Sequence, residues 1–220
     1  MSENAHNRIR AIVLFAAPLL LIAGFLLHPY VTNETDLDEI ARLAGADPGR
    51  WAAAHVLLVI AVASALLAAT SLRHLLRDAG EERWSFLALG LVLAGGTMIA
   101  GAIGGEIAVA AAAQARVDVR AVLEAGEPWF TPLFLASCVL FALGWLCFGA
   151  AFYRSRMLST ASTRAVVAGT VLLTAGLFIP ATWGGYLSAV GLAAVTWTAG
   201  VQAWTHAPMP AAPGRVPRSA

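Results

Sequence analysis

The run SFLALGLVLAGGTMIAGAIGGEIAVAAAA, residues 85–113, contains one ionisable side chain, Glu106. A helix needs about 20 mostly apolar residues to cross the hydrocarbon of a bilayer, so a stretch of this length reads as a membrane-spanning helix. The whole chain agrees with that reading. Of its 220 residues, 59% are hydrophobic and 12% charged, and the mean hydropathy is +0.74, too apolar for an ordinary soluble domain.

Runs of comparable character lie at about 11–30, 51–72, 85–113, 129–153, 164–180 and 185–205. They predict an all-α bundle of six transmembrane helices filling residues 1–206. The ending APMPAAPGRVPRSA, 207–220, has no apolar periodicity and is expected to be a disordered cytoplasmic tail. The first run is read as a retained helix, because it is long for a secretory signal and no A-x-A site precedes HPY.

Arginine distribution sets the expected orientation, since flanks left in the cytoplasm collect basic residues. Arg8, Arg10, Arg73, Arg77, Arg83, Arg154, Arg156, Arg164, Arg215 and Arg218 fall on one side; only Arg42, Arg50, Arg116 and Arg120 fall on the other. Glu34, Asp36, Asp38, Glu39, Asp47, Asp118, Glu124 and Glu127 all lie in the arginine-poor loops. Both termini are therefore expected in the cytoplasm, with the chain in the inner membrane. Trp51, Trp129 and Trp183 at outer ends, and Trp84 and Trp204 at inner ends, fit headgroup positions.

Loop grammar adds detail. NETDLDEIARLAGADPGRW predicts a short helix capped by Thr35 or Asp36 and stopped at Gly45, after which Asp47 and Pro48 start the next span. VDVRAVLEAGEPWF has the same grammar, with Gly126 as the stop and Pro128 before Trp129, as a duplicated helical hairpin or independent recurrence of caps would produce. In IPATWGGY, Pro180 closes a helix and Gly184 with Gly185 permits a tight reversal. Gly101 and Gly105 form a G-x-x-x-G, where another helix backbone is expected to pack. Cys138 and Cys147 face opposite sides of one helix and read as packing residues.

Three ionisable residues, His28, His55 and Glu106, fall at similar depths near the outer ends of different spans. Ionised glutamate in hydrocarbon is costly, so Glu106 must be neutral, paired or wetted. Three readings follow: an interfacial acid, a helix-locking pair, or a polar pocket that binds a small solute or proton. The same trio would also serve as a metal ligand set, or its histidines as haem ligands, although no tight motif such as H-E-x-x-H is present. No cofactor is expected on the pocket reading. A third option is a non-catalytic partner subunit. Partners are the lipid bilayer and, for a chain too small for a full transporter, a second copy or another membrane protein. A net charge of +1 and the lack of nucleotide or hydrolase motifs argue against nucleic acid and soluble-type catalysis.

The layout of six spans, with FYRSRMLSTASTRAVVAGTVLLTAG and its Arg-flanked turn YRSRM joining the fourth and fifth, resembles bacterial six-helix integral membrane proteins known only as domains of unknown function. The resemblance implies the helical fold and transfers neither an activity nor a site residue.

Overall fold

A computed structural model describes residues 3–205, so the tail reading lies outside the described residues. The chain is all-helical: α1 (Glu3–Leu27), α2 (Leu37–Ala46), α3 (Pro48–Asp78), α4 (Arg83–Gln114), α5 (Val119–Ser155), α6 (Thr160–Leu177) and α7 (Thr182–Thr205). Of these, α1, α3, α4, α5 and α6 are long and apolar enough to cross a membrane. Large apolar side chains also cover the outside of the bundle, among them Leu19, Ile60, Leu67, Phe86, Val171 and Val190. Helices that are apolar on both faces mark a membrane protein.

The long helices close into a ring, in the order α1, α3, α4, α5, α6, α7 and back to α1, and α2 lies across the arginine-poor ends of α3, α4 and α5. An aromatic face of α5, made of Phe141, Trp145, Phe148 and Phe152 at helical spacing, fills the middle. It meets Leu72 and Leu76 of α3, Val92 and Ile99 of α4, Val166 and Leu173 of α6, and Leu192 and Val195 of α7 in one core.

Glycines bring the backbones into contact, though at positions other than those the sequence singled out. A Cβ at Gly95 would stand 2.4 Å from Phe141 N, and one at Gly191 2.3 Å from Leu173 N. Gly144 against Val92 and Gly169 against Gly191 are equally close. Gly101 and Gly105 have nothing within 4 Å and are exposed, so the expected packing role is not met within the chain. The reason is register: α5 approaches α4 one and a half turns closer to the arginine-rich end, at Gly95.

The caps explain where helices start and where one prediction fails. Asp36 caps α2 by accepting from Asp38 N and Glu39 N, and Asp47 accepts from Arg50 N with Pro48 opening α3. Gly45 lies inside α2, which runs to Ala46. At the analogous place in α5 there is no break, and the helix continues through Gly126, Pro128 and Pro132. Asp118 already caps α5 through Ala121 N, and Glu127, one methylene longer than aspartate, is a poor substitute for a second cap. The two loops are thus different devices. Gly184 and Gly185 likewise sit inside α7 rather than in a turn: a Cβ would press Gly184 onto Ile179 O and Gly185 onto the Phe25 ring. Among the described residues, only Gly80, at φ +85 in the turn from α3 to α4, uses a glycine's conformational freedom.

The helices differ in length, and that difference shapes the arginine-poor end. At 1.5 Å per residue α6 is about 27 Å long and α5 about 55 Å. The α4–α5 hairpin therefore stands well above the α6–α7 turn, and α2 packs against it through Val31, Ile40, Ala44, Trp51, Val109 and Ala110.

Candidate functional site

The three ionisable residues proposed from sequence do meet, at the foot of this extension. His28 follows the last turn of α1, His55 lies on α3, and Glu106 lies on α4, about 35 Å along that helix from Arg83. The His28 and His55 rings are 4.9 Å apart, edge to face, and His55 Nε2 lies 3.8 Å from Glu106 Oε2. The His55 side chain is 6% exposed and that of Glu106 19%. The acid is thus mostly buried against its neighbours.

A tryptophan completes the cluster. Trp51, one turn before His55, stacks on its ring at 4.8 Å, touches the His28 ring at 5.0 Å, and donates its indole N–H to the Glu106 carbonyl oxygen at 3.2 Å. The sequence placed Trp51 at the membrane interface, whereas the structure buries it as the wall that ties α3 to α4. Its i−4 spacing from His55 was the visible sign.

Backbone carbonyls fix the imidazoles. His55 Nδ1 donates to Trp51 O at 2.7 Å and His28 Nδ1 to Pro29 O at 2.6 Å, which leaves each Nε2 as the free position. Arg50 Nε donates to Leu27 O, holding the end of α1 beside His28.

The loop after His28 is clamped across the bundle. Val31 N donates to Thr182 Oγ1 at 2.8 Å, Thr182 N to Val31 O, and Glu34 N to Pro180 O at 2.9 Å. The Glu39 carboxylate gathers Thr32 N, Thr32 Oγ1 and Asn33 N, bonds that hold it below the usual carboxylate range. Glu34, read from sequence as one more solubilising loop acid, is a site residue that sequence reasoning missed. The residue is exposed, yet the protein around its carboxyl desolvates it and raises it above its ordinary value. Its charge is felt by Glu106. Nothing in the sequence separates it from its acidic neighbours.

No family model, curated protein or solved structure matches the chain.

Among the described residues, no group of three or more His, Cys, Asp or Glu is placed to hold a metal ion, so the trio does not make the ligand set weighed from sequence. Nor do its histidines suit a haem sandwich. Two rings in edge-to-face contact leave no plane between them for a porphyrin. Cys138 and Cys147 are both free, as packing residues would be.

Proposed function

We propose that the protein crosses the inner membrane six times, with both termini in the cytoplasm, and that the His28–His55–Glu106 cluster is an outward-facing site for a proton or a small solute. Support for the even number of spans comes from the ends of the ring: Arg8 near the start of α1 stacks over the Trp204 ring at the end of α7, so both ends of the chain leave from one side. α7 is about 36 Å long and lies antiparallel to α6, which suits a sixth span despite its Gly, Ser and Thr content.

The observation that carries the functional reading is the apposition of His55 Nε2 and the Glu106 carboxyl. With Nδ1–H committed to Trp51 O, one further proton belongs either to Nε2, giving an ion pair, or to the carboxyl, giving a neutral pair. Both arrangements have the same net charge, so once a small rotamer change or one bridging water closes the 3.8 Å gap, the proton can change position without placing an isolated charge in an apolar wall. His28 is half-buried at the mouth, in ring contact with His55, and Glu34 overlooks the opening. A solute with one donor or cationic group would find imidazole nitrogens and a carboxyl within one side chain's reach.

Below the cluster the interior is apolar, with Leu58, Val62, Ile99 and Ala102 buried. That packing favours binding and exchange at the outer face over passage across the membrane.

The test is a pH titration of the His55 imidazole by NMR of ¹³C-histidine-labelled protein in dodecyl maltoside. Glu106→Gln is expected to displace the midpoint by about one unit or more while helix content stays unchanged. An identical titration in the variant would remove Glu106 from the site. Proteoliposomes carrying a trapped pH dye distinguish binding from passage, and on this reading wild type does not speed the decay of an imposed pH gradient.

A further inference from the structure

The opposite end of the bundle carries a second polar cluster that the outer site does not use. α3 finishes with SLRHLLRD, residues 71–78, and from sequence His74 reads as a solvated residue. In the structure it is half-buried, its Nδ1 is fully covered without a hydrogen-bond partner, and Nη1 of the neighbouring Arg73 is in the same state. Buried donors without acceptors are rare, because each forfeits its hydration for nothing.

The acids nearby are already committed. Asp78 accepts from Arg10 Nη1 of α1 at 3.4 Å and from Arg77 Nη2 at 3.3 Å. Glu81 accepts from Trp84 N and Ser85 N, and so caps α4. Glu82 is exposed and makes no cap bond. Arg10, which also donates to Asn7 Oδ1, and Arg77 therefore share one carboxylate; Arg10, Arg73, Arg77 and Asp78 are all close enough to act on the His74 ring, and among the described side chains no acid accepts from Arg73.

Arg73 Nη1 and His74 Nδ1, both covered and without partners, beside two further guanidinium groups that share one carboxylate, suit a group with several anionic oxygens. A carboxylate offers two oxygens in one plane, whereas a phosphate offers a tetrahedral set that guanidinium forks and an imidazole N–H can meet from different sides. Depth points the same way. Arg73 is five residues, about 7.5 Å, from the end of α3, a depth that suits the headgroup layer when the apolar middle of α3 fills the hydrocarbon. Arg73 and His74 are both half-buried overall, so a rotamer change brings their donors to an acceptor arriving from the headgroup layer.

We propose that Arg73 and His74, with Arg10 and Arg77, form a phosphate-binding site at the arginine-rich end of the bundle, taking a phosphate group from an anionic lipid headgroup or from solution. The site does not depend on the outer cluster, nor on which side of the membrane this end faces.

The full chain is purified in dodecyl maltoside, and its unfolding midpoint is followed while phosphatidylglycerol, a neutral diacylglycerol, inorganic phosphate or sodium chloride of equal ionic strength is added. Phosphatidylglycerol is expected to raise the midpoint by about 4 °C at saturation, with no response to diacylglycerol or chloride. Inorganic phosphate that reproduces the shift assigns a soluble ligand; a shift with the lipid alone assigns the headgroup. Arg73→Gln is expected to weaken the response about tenfold in concentration, and Arg164→Gln, which removes an exposed arginine from the same end, to leave it unchanged. If Arg73→Gln does not fold, Arg73→Lys keeps the charge, loses the fork, and is expected to give an intermediate weakening. The absence of any shift, or equal weakening by Arg164→Gln, would overturn the proposal.

Discussion

Glu106 shows how much a single residue's meaning depends on its neighbours. In an apolar run it is an expense; in the fold it lies 3.8 Å from His55 Nε2 and under the Trp51 indole that binds its own carbonyl, the arrangement on which the proposed proton site rests. Glu39 and Glu34 make a similar contrast in the loop above. Glu39 is held low by the hydroxyl of Thr32 and by the Thr32 and Asn33 amides, so its contribution to stability is complete above the ordinary value of 4.5 and is lost as pH falls through the lowered value. The stability advantage of wild type over Glu39→Gln, measured by thermal unfolding in detergent, is expected to be full at pH 6 and to vanish well below pH 4.5. Glu34 has the opposite sign: raised by burial, it favours the fold when protonated, and its contribution declines as pH rises through its ordinary value and on past the raised one. Glycines divide just as sharply. Gly191→Ala, whose Cβ would meet Leu173 N, is expected to cost about 1–3 kcal/mol, whereas Gly101→Ala, in open space, is expected to gain about 0.5–1 kcal/mol from helix propensity. The same unfolding series compares the two, and equal effects would contradict the packing described.

Among the elements, α5 and the α2–α3 junction separate what a cap does from what a proline does. At Asp47 the chain ends one helix and begins the next, with the carboxylate on Arg50 N at 2.9 Å. Asp47→Ala is expected to cost about 1 kcal/mol of stability. In α5 the helix passes through Pro128, which removes one backbone donor and crowds the carbonyl of Glu124. Pro128→Ala is therefore expected to stabilise the protein, by up to about 3 kcal/mol, as read from the unfolding midpoint. A helix that broke at Gly126 would instead lose the preset backbone angle of its first turn and become less stable. The continuity of α5 also matters to the site, because it raises the α4–α5 hairpin above the α6–α7 turn and gives α2 a surface on which to close over Trp51 and Val109.

At the scale of the whole molecule, a ring of six helices has two chemically different ends. One carries the acidic loops, the histidine pair and Glu106; the other carries Arg10, Arg73, Arg77 and the unpartnered His74. Between them lies the aromatic core of α5, which contains a further unsatisfied donor, the fully buried indole N–H of Trp145. Which end faces outward is open to direct measurement. With Cys138 and Cys147 replaced by alanine, a cysteine at Arg42 is expected to react with a membrane-impermeant maleimide in intact cells, and one at Arg156 only after lysis. The reverse pattern would invert the proposed topology.

The sequence by itself determined the class of the protein, the approximate limits of its long helices other than the start of α5, the cap at Asp47 and a choice of Thr35 or Asp36 for α2, because hydropathy and short-range hydrogen bonding are local properties readable within one or two turns. It also named His28, His55 and Glu106, since titratable groups stand out in apolar surroundings. What it could not supply was register. Whether Gly101 or Gly95 meets a neighbouring backbone, whether Trp51 faces lipid or an imidazole, and whether Glu34 overlooks the site all depend on how one helix is rotated and shifted against another. That is decided by the sum of many weak contacts between residues far apart in the chain, which only the tertiary structure brings together.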